Sequence, residues 1–150
     1  MKVVSAWEYG LRCLLQVAKK HPDKAVTIPE IATKEGLSIA YVGKLMHMLL
    51  KKGLIKSKRG RFGGYVLFLE PSEISIHDIF QALSERSIQF EDCNHYKGIL
   101  DKCIHLNDNN CMIKYLWKKL DFAIEETLSS VTLRDLIGGK TVDTKTVNNI

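Results

Sequence analysis

The chain has 150 residues, 45% hydrophobic and 26% charged, which suits one globular domain with an extended element left over for assembly. A formal charge of +5 and a pI of about 9.0 fit an anionic partner. No run has the apolar length to cross a bilayer and no export signal opens the chain, so a cytoplasmic location is expected, where a reducing compartment favours free thiols or metal ligation over disulfides for the four cysteines.

Residues 4–19 carry Leu11, Leu14, Leu15 and Ala18 at helical spacing, and Pro22 with Asp23 ends that first helix. Thr27-Ile28-Pro29-Glu30 has the pattern of a capping box: the Thr27 hydroxyl accepts from the amide of Glu30, whose carboxylate reaches back, and Pro29 is tolerated in a first turn that needs no donor. Gly36 stops this second helix within two turns. Ser38 then caps a third, with Val42, Leu45, Met46 and Leu49 on the i, i+3, i+4, i+7 template. Gly53 ends it, and residues 54–58 and 65–69 read as two short strands around the tip Arg59-Gly60-Arg61-Phe62-Gly63-Gly64. The predicted fold class is mainly α with a small β hairpin, in the order of a winged helix-turn-helix.

Lys44, Lys51, Lys52, Lys56, Lys58, Arg59 and Arg61 follow one another with no Asp or Glu between Lys44 and Arg61. A basic run of this kind is either a solvated face or the footprint of a polyanion, and here it coincides with the third helix and hairpin, the parts of a winged helix that face double-stranded DNA. The glycine-rich tip lacks the lysine of a nucleotide-binding phosphate loop, and no strand leads from it into a helix. Lys44, Lys58, Arg59, Gly60 and Arg61 are therefore candidate DNA contacts.

Cys93, Cys103 and Cys111 stand in a polar stretch with Asp92, Asn94, His95, Lys102, His105, Asn107 and Asp108 around them, a setting for ligands and not for core. Structural zinc usually takes paired ligands two to four residues apart. These intervals are longer, whereas an iron-sulfur cluster spans several ångströms and accepts widely spaced thiolates. Three thiolates leave one coordination site, for which His95, His105, Glu8, His47, Asp92 and Asp108 are candidates by chemistry alone, each being also an ordinary surface residue. Cys13, between Leu11 and Leu14, reads as a small buried hydrophobe, and Met46, Met48 and Met112 as packing residues. Residues 112–129 form a long helical pattern with Leu116, Leu120, Ala123, Ile124 and Leu128 on one side, a stripe that needs an apolar partner. Thr132-x-x-Asp135 caps one more short helix, and the polar sequence from Gly138 onward reads as a mobile tail.

These residues resemble the winged-helix bacterial regulators typified by the iron-sulfur cluster regulator IscR, the nitric-oxide sensor NsrR, the iron regulator RirA and the cysteine-metabolism repressor CymR. The likeness runs through Tyr9-Gly10-Leu11-Arg12, Ile28 to Ala32, Ser38-x-x-Tyr41-Val42, the segment from Gly53-Leu54-Ile55 to Gly63-Gly64-Tyr65, then Pro71, Ile76-x-Asp78-Ile79, the three cysteines and Thr132-Leu133-x-Asp135-Leu136. It covers roughly residues 1–137. It implies a winged helix-turn-helix over 1–84 whose first helix also packs at the dimer interface, a cluster-binding loop over 85–111, a dimerisation helix and short final helix over 112–137, and a tail over 138–150. It also implies that the helix opened by Ser38 and Tyr41 reads bases, that Arg59 enters the minor groove, and that the long helix crosses that of a second protomer to give a homodimer on a palindromic operator. Gly43 and Lys44 stand where relatives often carry acidic or amide side chains, so the operator sequence does not transfer.

In IscR-like members a His three residues after the last cysteine completes the ligand set; this chain has Lys114 there, and an ammonium cannot ligate. NsrR-like members use a carboxylate from the first helix of the other protomer, and Glu8 stands at that place. The resemblance thus implies a 2Fe-2S or 4Fe-4S cluster held by Cys93, Cys103, Cys111 and Glu8 of the partner subunit, whose redox state, nitric-oxide exposure or assembly status controls operator affinity. A cluster-free thiol or zinc sensor is the alternative, and a small iron-sulfur electron carrier would have no use for the basic helix and hairpin. No nucleophile-base arrangement supports an enzyme.

Overall fold

Thr27, Ser38, Ser75 and Thr132 each lie in extended backbone just before a helix, and each hydroxyl accepts from the amide three residues on, at 3.4, 3.2, 3.0 and 3.4 Å. These caps start four of the six helices in a computed structural model that describes residues 5–22, 24–84, 98–100, 103–105 and 111–138. The order is α1 (Ser5–Ala18), α2 (Ile28–Glu35), α3 (Ile39–Lys51), β1 (Ile55–Lys58), β2 (Gly64–Leu67), α4 (Ile76–Leu83), α5 (Met112–Ser130) and α6 (Leu133–Ile137). The tail beyond residue 138 lies outside the described residues.

At Ser75 and Thr132 the box is reciprocal, with Asp78 and Asp135 accepting from the cap amides at 3.3 and 3.0 Å. At Thr27 only half of the expected box forms. Glu30 turns instead to Lys20 and to Lys34, the latter at 3.3 Å, because two ammonium groups attract a carboxylate more strongly than one neutral amide. Hydrogen bonding from Lys20 holds the Glu30 carboxyl below its ordinary range.

The core is a single cluster in which Leu14 and Val17 of α1, Ile31 of α2, Leu45, Met46 and Leu49 of α3, Ile79 and Leu83 of α4, and Leu133 of α6 are almost wholly buried. Each such side chain contributes roughly 1.5–3 kcal/mol of transfer free energy. Residues 76–83, to which sequence periodicity assigns no element, form α4 and supply the floor on which α1 and α3 rest. Gly10 permits the closest approach: a Cβ there would meet the Leu83 side chain at 2.4 Å. One turn earlier Trp7 stacks on Phe80 at 4.8 Å and donates through Nε1 to Ser84 Oγ at 2.7 Å.

β1 and β2 pair antiparallel, Ile55 with Leu67 through Lys58 with Gly64. The second strand thus begins one residue earlier than the aromatic and branched residues suggest and ends before Phe68 and Leu69. Its neighbour decides this: Val26 bridges Tyr65 with reciprocal bonds of 3.0 and 2.8 Å, drawing Gly64 so close that a Cβ would lie 2.6 Å from the Val26 carbonyl oxygen.

α5 runs 19 residues and buries none of them fully. Its expected apolar side splits. Ile124 and Leu128 are half-buried, with Trp117 and Asp121 on the same face, whereas Leu116, Leu120 and Ala123 face solvent together with Met112 and Ile113. Met112, expected to pack, is 75% exposed because the helix lies against α4 by its other face. α5 then returns to the core through Ile76 N–H donating to Val131 O at 2.9 Å and Leu133 N–H donating to Ile74 O at 2.8 Å.

Gly10→Ala is expected to destabilise the protein by about 1–3 kcal/mol through overpacking, despite a helix-propensity gain of about 0.5–1 kcal/mol. In denaturant unfolding, Gly10→Ala with Leu83→Ala should cost less than the sum of the single changes; strict additivity would show that the two sites do not compete for the same space.

Candidate nucleic-acid interface and sensor cysteines

α3 divides cleanly. Val42, Leu45, Met46 and Leu49 are buried, while Ala40, Lys44, His47 and Lys51 are exposed at the complementary spacing of four, three and four residues. Ser38 is spent on the cap, holding the first turn open at its outer side, where Ile39 is 60% exposed. Tyr41 is half-buried, its ring edge-on to Tyr9 of α1 with centroids 6.1 Å apart, so it links the helix to the core as well as reaching its surface. Lys51 belongs to the basic run read from sequence, whereas Ile39, Ala40 and His47 were not among the DNA contacts read there. Their signal was present as the complement of the core pattern, masked by the absence of a lysine or arginine at all three positions.

Gly53, in the left-handed region at φ 73°, ends α3, and Leu54 N–H donates back to Leu49 O at 3.1 Å, so the helix passes directly into β1. At the hairpin tip Lys58, Arg59, Gly60 and Arg61 are all exposed. Gly60 takes φ 110°, and Gly63 N–H donates to Gly60 O at 2.9 Å, closing the turn. No acidic side chain falls between Lys44 and Arg61, so the third helix and the tip contribute a run of positive charge with no negative residue within it.

The cysteines divide by environment. Cys13 has no solvent exposure, and burial, reinforced by the charge of Glu35, pushes its thiol up to about 11. It is a packing residue, as its place on the apolar face of α1 predicts. Cys103 and Cys111 are free, half-buried thiols. Cys111 occupies the N-cap of α5, yet its side chain makes no capping hydrogen bond, so the sulfur is not committed to the helix. Cys93 lies outside the described residues, as do His95, Asp92 and Asp108, and among the described residues no three metal-binding side chains converge. A cluster requires thiols not spent on disulfides; Cys103 and Cys111 fit that requirement, and Cys111 is also not spent on the cap of α5.

Lys114 is half-buried in the first turn of α5. Glu8 stands in the first turn of α1, about half exposed, and accepts from Arg12 Nη2 at 2.8 Å. Its macrodipole role and this i, i+4 ion pair are both weak, about 0.3–1 kcal/mol each, so the carboxylate is held loosely enough to exchange partners. His47 is exposed on α3, and His105 is exposed two residues after Cys103.

A family model described as "Rrf2: Iron-dependent Transcriptional regulator" matches residues 3–139. The chain belongs to the Rrf2 family. The HTH-type transcriptional regulator CymR of Bacillus subtilis is 34% identical over 136 residues, 91% of this chain and 89% of that one. IscR of Yersinia pseudotuberculosis is 29% identical over 142 residues, 95% of this chain and 82% of the relative. Among solved structures, CymR of B. subtilis, the global cysteine regulator, superposes with a TM-score of 0.75 at 33% identity, covering 94% of this chain and 99% of that one. T. potens IscR superposes at 0.73 and 32%, covering 94% and 89%. The protein is thus an Rrf2 transcriptional regulator with the winged-helix fold, and its relatives are regulators rather than enzymes. No helix among the described residues is long and apolar enough to cross a membrane.

In the folded protein freed of any metal, a thiol reagent at neutral pH is expected to modify Cys103 and Cys111 rapidly and Cys13 only on unfolding, as mass spectrometry of the labelled peptides would register. Rapid native labelling of Cys13 would contradict its burial.

Proposed function

We propose that this Rrf2 protein is a homodimeric DNA-binding regulator whose affinity for a palindromic operator is governed by an iron-sulfur cluster on Cys93, Cys103 and Cys111, with Glu8 of the partner subunit as fourth ligand. The observation that carries the reading is the donor set: two free thiols, one opening α5 without serving as its cap, in a family described as iron-dependent. The cluster, of 2Fe-2S or 4Fe-4S type, would supply redox and ligand-exchange chemistry at that position. An oxygen ligand such as the Glu8 carboxylate exchanges more readily than a thiolate.

On the DNA side, the helix opened by Ser38 and Tyr41, with Lys44, enters the major groove, and Lys58, Arg59, Gly60 and Arg61 meet the adjacent backbone and minor groove. The exposed apolar stripe of Met112, Ile113, Leu116 and Leu120 supports pairing with a second α5, which would set two recognition helices about one duplex turn apart, ~34 Å. The coupling route is short: Cys111 begins α5, α5 lies on α4, and α4 lies on α3. A difference of about 1–3 kcal/mol between two arrangements would change operator affinity roughly five- to 150-fold.

A second reading has its own support. The B. subtilis relative is a global cysteine regulator, and the same free, partly exposed thiols suit a cluster-free thiol sensor.

Anaerobically purified protein is expected to show broad visible absorption with matching iron and acid-labile sulfide, lost in Cys103→Ser and Cys111→Ser and altered in position or redox potential in Glu8→Ala. A colourless protein that stays iron-free after anaerobic reconstitution would move sensing to the thiols, and an unchanged Glu8→Ala spectrum and potential would remove Glu8 from the site. Arg59→Ala should weaken binding to all duplexes and lower the magnitude of the salt slope of log K by about 0.9 if it neutralises one phosphate; an unchanged slope would place Arg59 off the backbone.

A further inference from the structure

The largest exposed aromatic surface in the described residues outside α5 is Phe62, 82% exposed at the apex of the hairpin. A Phe pays a hydration penalty there with no apolar side chain among the described residues covering it, because its flanking residues are Arg61 and Gly63 and the turn beneath it is closed by backbone. The geometry fixes what occupies the apex. Gly63 cannot carry a side chain, since a Cβ would lie 2.5 Å from Lys58 O and 2.9 Å from Gly60 O, and Gly60 has none. The tip therefore presents one ring and two guanidinium groups, Arg59 and Arg61, the latter 5.8 Å from the ring centroid.

An apolar ring framed by cations matches the chemistry of a duplex groove, with phosphates at its rims and apolar sugar and base edges at its floor. We propose that Phe62 is a specificity-determining contact to DNA, an apolar wedge that the two arginines seat in the minor groove, where it reads how readily the underlying base step opens. The inference rests on the DNA-binding reading above and adds the residue and the property read. Such readout selects flexible pyrimidine–purine steps over stiff A-tracts without any hydrogen bond to a base. The ring's contact with Arg61 has a part in this: it keeps that guanidinium beside the wedge instead of dispersed in solvent.

The test begins with a duplex selected by the wild-type protein from a random-sequence pool, measured by fluorescence anisotropy against an unselected duplex of the same length. Phe62→Ala should bind the selected duplex about five- to 150-fold more weakly, the range for losing one aromatic contact with bases, with melting temperature and salt slope unchanged. Phe62→Leu, which keeps an apolar wedge, should retain most of the affinity. Replacing a pyrimidine–purine step under the tip by an A-tract should weaken wild type and leave Phe62→Ala little affected. Equal affinities of wild type and Phe62→Ala for the selected duplex would overturn the proposal while leaving DNA binding intact. Equal losses on selected and unselected duplexes would overturn the shape-reading role, and a Leu variant as weak as Ala would reduce the ring to a partner of Arg61. Failure of the wild type to enrich any duplex would instead remove the DNA reading on which it rests.

Discussion

The backbone contact between Val26 and the start of β2 governs the placement of everything that faces outward. A two-stranded hairpin is marginal in water, and this one gains a third partner through the reciprocal bonds of Val26 with Tyr65. Gly64, at φ 149° and with no room for a Cβ, is the condition for that approach. Because Val26 directly precedes the cap of α2, the hairpin is tied to the start of the helix-turn-helix, while β1 continues from α3 at the other end. Helix and tip are thereby held in one frame from two directions, which is what a surface that must match the pitch of a duplex requires.

A second set of ties reaches from the core toward the cysteines. Val131 and Leu133 bond to Ile76 and Ile74, so the chain leaving α5 is sewn into the segment that begins α4. α5 itself buries no residue fully. A helix of this length held at its end and along one face, with its other face apolar and uncovered, is incomplete without further contact. Its first residue follows Cys111 directly, at the end of the helix opposite the bonds that tie the chain to the core. Trp7, stacked on Phe80 and bonded to Ser84, anchors the first turn of α1 to the same α4, and Glu8 is the next residue along.

Local signals were the most legible part of the chain. Thr27, Ser38 and Thr132 are read as caps because the hydroxyl-to-amide bond needs only three residues of spacing, and the structure has all three. Ser75-x-x-Asp78 carries the same signature and makes a reciprocal box like that at Thr132, yet the eight residues that follow are too short for periodicity to stand out. The reciprocal half at Thr27 failed for a reason outside any local window: Lys20 belongs to a different part of the chain from Glu30. The buried side of α3 was readable from its period. Its outward side was legible only in its lysines, Lys44 and Lys51, since Ile39 and Ala40 look like core residues until the fold leaves them uncovered.

Composition and spacing alone determined the charge footprint, the helix starts, the glycine-dependent turns and the inertness of Cys13, because each follows from a residue and its near neighbours. Tertiary structure decided where β2 begins, that α4 exists as the floor of the core, that Gly10 must yield to Leu83, and which face of α5 is left exposed. Those outcomes depend on which surfaces meet across long stretches of chain, a relation set by packing volume and backbone approach rather than by the identity of adjacent residues.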